Sequence, residues 1–448
     1  MSWLNFLPDF ARGIHPPQRK SLAREQPIEE LAPSDIVTIP LLQHAGVAAE
    51  CVVQPRQAVV RGDLIARRIP GATSAHVHAS VSGTVQAITA VTLPNGHRSL
   101  AVPIKVATTE QHEPIAAALF GGDWPQDDLS SLSSDLILTR IADAGIVGLG
   151  GATFPTDIKL RTTLTRPIET LVVNGCECEP YLTSDDRLMR EHSAAVLTGA
   201  RLARRACGAK RMVIAIEDNK PEAVEAMKSV ARSAQDIEVT VVQTKYPMGG
   251  ERQLIPALFQ RAVPTGGLPL DLGIAVINVA TAAAIAGAVL RNHSLTHRVV
   301  TVAGGGIVTP RNLLVPIGTS LQSLIDHCGG LRPTARRVLA GGPMMGVTVT
   351  NLDTPVTKGL GGVTVLSADE IDAAEQTACI RCGRCLDVCP LNLAPTRIAL
   401  AVKHGDIERA FAHYLAACCE CGCCAYECPA RLPLVQWIRA GKEALRRR

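Results

Sequence analysis

Residues 379–390 read CIRCGRCLDVCP and residues 418–429 read CCECGCCAYECP. Cys379, Cys382, Cys385 and Cys389, followed by Pro390, give C-x2-C-x2-C-x3-C-P; Cys418, Cys421, Cys424 and Cys428, followed by Pro429, repeat it. Three thiolates on one tight turn can cap three irons of a cube, while the fourth iron needs a thiolate arriving from elsewhere. This is the two-cluster spacing in which the fourth cysteine of each run ligates the other run's cluster, so it predicts two [4Fe–4S] clusters with crossed ligation. Structural zinc takes two C-x2-4-C pairs, and neither zinc nor a disulfide framework accounts for the third cysteine or the Cys-Pro end. Cys419 and Cys423 fall off the spacing and read as small buried fillers.

Between the runs, Ile398, Ala401 and Val402, then Ile407, Ala410, Phe411 and Leu415, recur three or four apart. That spacing predicts two short helices over 395–417, broken near Gly405, rather than a hairpin. The stretch 366–448 is thus expected to be an α-helical ferredoxin module that passes single electrons.

Composition bounds the rest. A chain of 448 residues accommodates three or more domains. Its 47% hydrophobic and 3% aromatic content suits a compact fold built from Ala, Val, Leu and Gly. No apolar run reaches the roughly 18 to 20 residues of a membrane span, and no signal peptide is recognisable at the start. Thiolate clusters and five further scattered cysteines point to a reducing cytosol. A net charge of +4 without a basic, aromatic-interleaved stripe gives no reason to expect nucleic acid.

Residues 1–34 read as an N-terminal extension. Trp3, Leu4, Phe6, Leu7 and Phe10 crowd its start, a pattern suited either to docking on a partner or membrane surface or to packing on the protein itself. Gly13-Ile14-His15-Pro16-Pro17 follows as rigid extended chain. From 35 to 110, short β-rich runs alternate with turn signals such as Asn95-Gly96. The V-x-x-G-D and S-G-T-V elements there resemble the barrel-sandwich hybrid of lipoyl and biotinyl carriers. Such carriers need a lysine at a hairpin tip; the sole lysine in this stretch, Lys105, falls in its last strand, so a structural or docking barrel is expected.

Over 130–295 strands TLVVNG, RMVIAIED, IEVTVVQT and IAVINVA alternate with helical stretches at 136–144, 194–206, 222–233 and 282–290. Alternation of this kind implies a largely parallel, covered sheet, whose ligands sit outside the carboxyl ends of the strands. Three clusters fall at such places. Gly145 to Pro155 (GIVGLGGATFP) is a glycine loop leading to Lys159, suited to a phosphate although it does not fit G-x-G-x-x-G. Asn174 to Tyr181 (NGCECEPY) sets an amide and two carboxylates at a strand end, and Gly249-Gly250-Glu251-Arg252 stands with Asn278 and Thr281. Three on one sheet edge favour a dinucleotide or flavin pocket.

Together with GIHPP, YPMGGERQL and GGPMMG, these motifs and the CIRCGRCLDVCP run resemble RnfC, the C subunit of the Rnf ion-translocating electron-transport complex, over nearly the whole chain. The central part is also similar to the NADH-binding flavoprotein subunit of respiratory complex I. The resemblance implies a non-covalent FMN on which NADH stacks. By position, Gly148, Gly150, Gly151 and Lys159 would hold phosphate or the dinucleotide, Asn174, Glu177 and Glu179 would meet isoalloxazine and ribose edges, and Glu251, Asn278 and Thr281 would complete the site. No catalytic side chain is singled out, and the C-x-C of Cys176 and Cys178 is no cluster motif. Residues 296–350 match the β-grasp-like SLBB domain of these families, leaving 351–377 as a linker to the cysteines. Some relatives carry a long alanine-rich extension after the cysteine module, which is not found here.

The resulting fold class is multidomain α/β plus β: barrel-sandwich hybrid, Rossmann-like flavin/NADH domain, SLBB domain and ferredoxin module. The resemblance implies electron transfer between NAD(H), FMN and two [4Fe–4S] clusters, at the cytoplasmic side of the bacterial inner membrane. There the chain would be peripheral, bound to the other Rnf subunits and serving ferredoxin or flavodoxin indirectly, with Na⁺ or H⁺ transport left to membrane subunits. Two other readings stand beside this one: a corrinoid reductase of a metabolic microcompartment, which shares these modules, and a non-catalytic relay that holds clusters without flavin.

Overall fold

The computed structural model describes residues 7–108, 115–125, 129, 131–161, 166–232 and 236–446; Trp3, Leu4 and Phe6, on which the amphipathic reading of the N-terminus partly rests, lie outside them. Residues 36–106 form two small antiparallel sheets around one core. One contains Ile36–Pro40, Arg98–Val106, Gly83–Val85 and Ala58–Val59, with Thr89–Thr92 also paired to Arg98–Val106; the other contains Glu50–Cys51, Leu64–Arg67 and Val77–His78. Side chains alternate at the start of Ile36–Pro40, so Val37 and Ile39 are buried while Ile36 faces out, and Ala101, Val102 and Ile104 of Arg98–Val106 are buried with them. Lys105 stands within the sheet, opposite Ile36 and Thr84.

The central domain is a four-stranded parallel sheet of Thr170–Gly175, Arg211–Glu217, Ile237–Val242 and Ile274–Asn278. Strand order in space is Ile237–Val242, Arg211–Glu217, Thr170–Gly175, Ile274–Asn278. The chain reverses its winding direction between Thr170–Gly175 and Ile274–Asn278, which makes the gap at their carboxyl ends the topological switch point. The helices expected from the sequence stand at Ser134–Asp143, Ser193–Cys207, Pro221–Ala231 and Val279–Arg291. Ser193–Cys207 and Val279–Arg291 lie so close that a Cβ on Gly199 would come 1.6 Å from the Ala282 carbonyl oxygen, so no other residue fits that crossing.

A mixed six-stranded sheet follows, ordered Ile28–Glu30, Arg311–Pro316, His297–Ala303, Gly362–Ser367, Ala335–Ala340, Val347–Val349, with helix Leu321–His327 over its core. Two of its strands lie outside the 296–350 boundary. Gly362–Ser367, inside the stretch expected to be a linker, is an interior strand pairing with Thr301 and with Leu339. Ile28–Glu30 comes from the N-terminal extension and pairs in parallel with Asn312 to Leu314. The extension is therefore woven into the molecule: Phe10 is buried against the central sheet, with Lys245 Nζ 4.8 Å from its ring centre.

The cysteine-rich segment is helical, with Pro395–Lys403 and Ile407–Ala412 separated at Gly405 and Leu434–Arg446 packed against both. Its two runs share one backbone path. Arg381 and Glu420 (φ 57° and 59°), Gly383 and Gly422 (81° and 86°), and Asn392 and Arg431 (55° and 53°) occupy equivalent left-handed positions, and short helices Arg384–Asp387 and Cys423–Tyr426 follow.

A buried lysine joins three domains. Lys358 is 1% exposed, and its Nζ donates to the carbonyls of His76 in the barrel and Gly145 at the root of the glycine loop, each at 2.7 Å. Burial pulls its pKa down to about 7, and a neutral amine still has two N–H groups for those two carbonyls. Because the unfolded lysine titrates near 10.5, the folded protein binds fewer protons between roughly pH 7 and 10.5, and stability from this group rises with pH across that window. Thermal melts of wild type and Lys358→Met at pH 7 and pH 9 should show wild type gaining about 2 kcal/mol on the variant at the higher pH; a gap independent of pH would contradict the assignment.

Candidate functional site

The site begins with register. Asn174 and Asn278 are Cα partners at the carboxyl ends of the two strands that flank the switch point. Asn278 also caps helix Val279–Arg291, its Oδ1 accepting from Ala280 N at 2.8 Å, so the helix N-terminus opens into the same crevice. Over it lies the glycine loop, closed by Gly148 N to Phe154 O (2.9 Å) and Thr153 N to Gly148 O (3.1 Å). A Cβ on Gly150 would sit 3.3 Å from the Asn278 Cβ, and Gly151, at φ 109°, borders open space. Thr281 accepts from Leu149 N at 2.9 Å, and the buried Arg298 guanidinium donates to Leu149 O, so the peptides beside the glycines are held from both sides. Lys159, at the loop's far end, pairs with Glu251 at the start of helix Glu251–Phe259. Asn174 Nδ2 donates to Gly249 O at 2.8 Å. Gly148, Gly150, Gly151, Lys159, Asn174, Glu251, Asn278 and Thr281 thus come together through the loop, the two strand ends and their direct contacts.

Glu177 and Glu179 are both engaged with neighbouring backbone. Glu177, in the left-handed region at φ 48°, accepts from Asp185 N (2.7 Å), Asp186 N (3.2 Å) and Ser184 Oγ (3.2 Å), which makes it the anionic cap of helix Ser184–Glu191. Glu179 reaches the other way and accepts from Met344 N (3.1 Å) and Met345 N (2.8 Å), fixing the GGPMMG loop. Burial raises its pKa to about 7 against those two bonds. A carboxylate at a strand end looks alike in sequence whether it faces a ligand or a neighbouring backbone. Glu177 still acts on the crevice at one remove, because the Asp185 it helps to hold accepts from Asn278 Nδ2 at 2.6 Å. Asp185 is buried and raised to about 6.

Several supporting residues carried no signal in the sequence. Lys20, 7% exposed, donates to the carbonyls of Glu177 (2.8 Å), Glu179 (3.0 Å) and Leu182, so one ammonium folds the acidic loop around itself. Lys220 and Glu217, each with a 1% exposed side chain, pair at 2.9 Å at the end of the neighbouring strand. Both thiols of the C-x-C are pushed up by burial; Cys176 faces the Ala215 carbonyl and Cys178 touches Gly249.

The cysteine runs come together in a crossed way. One cavity is lined by Cys418, Cys421 and Cys424 of the second run, with the off-spacing Cys419 and Cys423, and by Cys389 of the first. Thr377 N donates to Ala430 O at 3.0 Å, which sets the start of the first run beside the end of the second, where Cys428 lies. Backbone N–H groups point at thiols: Leu393 N to Cys389 Sγ at 3.3 Å and Glu420 N to Cys418 Sγ at 3.4 Å. Left-handed turns that aim N–H groups inward make the concavities that receive anionic iron–sulfur clusters. Among the described residues no three acidic, His or Cys groups converge as they would on a single ion; a four-iron cube spaces its thiolates wider, one to each iron.

Known proteins resemble this chain over most of its length. Residues 8–109 match the RnfC barrel sandwich hybrid domain, 141–287 the Nuo51 FMN-binding domain and 299–348 the SLBB domain. The chain is 42% identical over 437 residues to the C subunit of the ion-translocating oxidoreductase complex of Rhodobacter capsulatus, covering 97% of this chain and 83% of that one. The chain belongs to the RnfC family. Other RnfC relatives are the C subunit of the proton-translocating ferredoxin:NAD(+) oxidoreductase complex of Clostridium ljungdahlii, at 40% identity over 88% of this chain and 84% of that one, and its Na(+)-translocating counterpart in Acetobacterium woodii, at 39% over 87% and 86%. A chain of an NAD+-reducing [NiFe]-hydrogenase in the air-oxidised state shares the fold with a TM-score of 0.50 at 20% identity, over 75% of this chain and 58% of that chain. RnfC membership and the matched domains agree with the barrel, α/β and SLBB-type architecture. No helix among the described residues is long and apolar enough to cross a membrane.

Proposed function

We propose that this chain is the NADH-oxidising flavin and iron–sulfur subunit of an ion-translocating NAD:ferredoxin oxidoreductase, holding FMN at the switch point and two [4Fe–4S] clusters in the crossed cysteine runs. The observation that carries the reading is the crevice in which the glycine loop and the Asn278-capped helix meet at the carboxyl ends of Thr170–Gly175 and Ile274–Asn278. FMN accepts a hydride from NADH and gives up electrons singly, and iron–sulfur clusters carry them one at a time.

The protein's own part is positional and electrostatic. Loop N–H groups and the N-terminus of helix Val279–Arg291 offer positive ends of dipoles to a phosphate, while the Lys159 ammonium is paired with Glu251. Thr281 and Arg298 keep the loop from shifting. Asn174 spends its amide N–H on Gly249, which fixes the segment carrying Glu251. In the cysteine module, the crossed thiols and inward N–H groups suit a buried anionic cluster. The other Rnf subunits are the partners this reading implies, with ferredoxin or flavodoxin reached through them. The chain would sit peripherally on the cytoplasmic face of the inner membrane, and ion transport, as Na⁺ or H⁺, would belong to subunits with membrane spans.

Cofactor content of the protein purified without oxygen tests the assignment. One FMN and two four-iron clusters per chain are expected; full iron with no flavin, even after FMN is supplied, would leave only a relay.

A further inference from the structure

The barrel of residues 36–106 touches the glycine loop at three points. At the loop's root, a Cβ on Gly145 would lie 2.4 Å from the His76 carbonyl oxygen, and Lys358 Nζ donates to the carbonyls of both residues. At its turn, Thr153 is in the left-handed region at φ 50°, and its carbonyl accepts from Ala45 N at 3.0 Å. Just past its end, Arg68 Nη1 donates to Asp157 Oδ2 at 2.9 Å, and Asp157 stands in the first turn of helix Thr156–Leu160.

The three points are tied to one another inside the barrel. Arg68 N donates to His76 Nδ1 at 3.3 Å, so the residue that grips Asp157 is joined to the one that meets Gly145. The turn carrying Ala45 is fixed by His44 Nε2, 2.8 Å from Val47 O, and by Val47 N, which donates to Thr73 O at 3.0 Å. Thr281 and Arg298 hold the loop between these points, at Leu149. A barrel with its one lysine locked into a sheet has, in these contacts, a use other than carrying a group at a hairpin tip.

Resting on the flavin reading above, we propose that the barrel is a brace for the glycine loop and that Arg68 is the positioning residue through which it acts. The Arg68–Asp157 pair pins the loop's end, and the backbone N–H groups stand in place before a phosphate arrives, which lowers the ordering cost of binding. Asp157 is 5% exposed, so removing its partner leaves a buried carboxylate unpaired and drives the segment to move. The Arg68 side chain is 27% exposed and can be replaced without opening a core.

Hydrogen exchange of the FMN-free, full-length chain, read on peptides spanning 146–156, tests the brace, with FMN titration by fluorescence quenching beside it. The amides of Gly148, Thr153 and Thr156 are bonded within the loop segment, to the carbonyls of Phe154, Gly148 and Ile146. In Arg68→Met these peptides should exchange about tenfold faster than in wild type, while peptides of Thr170–Gly175 and Ile274–Asn278 stay unchanged. FMN affinity should fall about three- to thirtyfold. Arg68→Lys, which keeps the charge, should recover most of both effects, and Arg67→Met, which removes the exposed charge next to it, should produce neither. Wild-type loop exchange in Arg68→Met would overturn the brace, and so would faster exchange spread evenly over the central sheet. Faster loop exchange with FMN affinity unchanged would overturn the positioning role of Arg68. If Arg68→Met does not fold, Asp157→Asn takes its place with the same expected and contrary results. A wild-type chain that binds no FMN, with the loop still loosened in Arg68→Met, would sustain the brace and mark failure of the flavin reading alone.

Discussion

Gly150→Asp should yield a protein that keeps its iron and loses its flavin. The Gly150 Cα already lies so close to Asn278 that a Cβ would stand 3.3 Å away, and Asn278 caps the helix that opens into the crevice. An aspartate must therefore displace the cap or swing its carboxylate into the space where a phosphate would be received. Two unit charges about 4 Å apart repel by about 1 kcal/mol in water and about 4 kcal/mol at a protein surface. FMN affinity should fall on the order of ten- to a thousandfold, and NADH-dependent dye reduction should fall with it. The cysteine module has a hydrophobic core of its own, so iron content should not change. Flavin titration by fluorescence quenching, beside an iron assay, reads both; full FMN binding in the variant would mean the loop is only a turn.

Cys389→Ala should abolish the cluster of the second run, although the altered residue belongs to the first, and Cys428→Ala should abolish the cluster of the first. The expectation follows from the cavity that Cys389 shares with Cys418, Cys421 and Cys424 and from the Thr377–Ala430 bond that brings the opposite ends of the runs together. Iron should drop by about half in each variant, since each loses one of two equal clusters. The surviving EPR signal should differ between them, the second-run cluster remaining in Cys428→Ala and the first-run one in Cys389→Ala. Loss of only the local cluster in both variants would contradict crossed ligation.

Most of the architecture was legible because it is written in local patterns. The β-rich run that ends in AVPIKV, set off by the Asn95-Gly96 turn, reads as a strand, and strand-helix alternation from 170 to 291 announced a parallel sheet whose carboxyl edge carries the candidate site. The cysteine spacing is local too. What escaped was topological. Gly362–Ser367 looks like any short apolar stretch after a glycine pair, and its neighbours, Thr301 and Leu339, lie far back in the chain. Lys20 sits in a polar, proline-flanked extension without periodicity, so nothing foretold that its ammonium would bind three carbonyls of the acidic loop. The same loop decides where the two acids point. The identity of Glu177 and Glu179 was readable, but their direction is set by a left-handed φ at Glu177 and by the arrival of helix Ser184–Glu191 and the Met344–Met345 backbone.

The central claim is that one chain joins a two-electron donor to one-electron carriers, and a titration with NADH under anaerobic conditions, followed at once by flavin absorbance and cluster EPR, tests it most directly. The account predicts that NADH bleaches the flavin and brings up reduced [4Fe–4S] signals in the same protein with no other subunit present. Bleached flavin with clusters that stay oxidised toward NADH yet are reduced by dithionite at potentials above that of the NADH couple would contradict it.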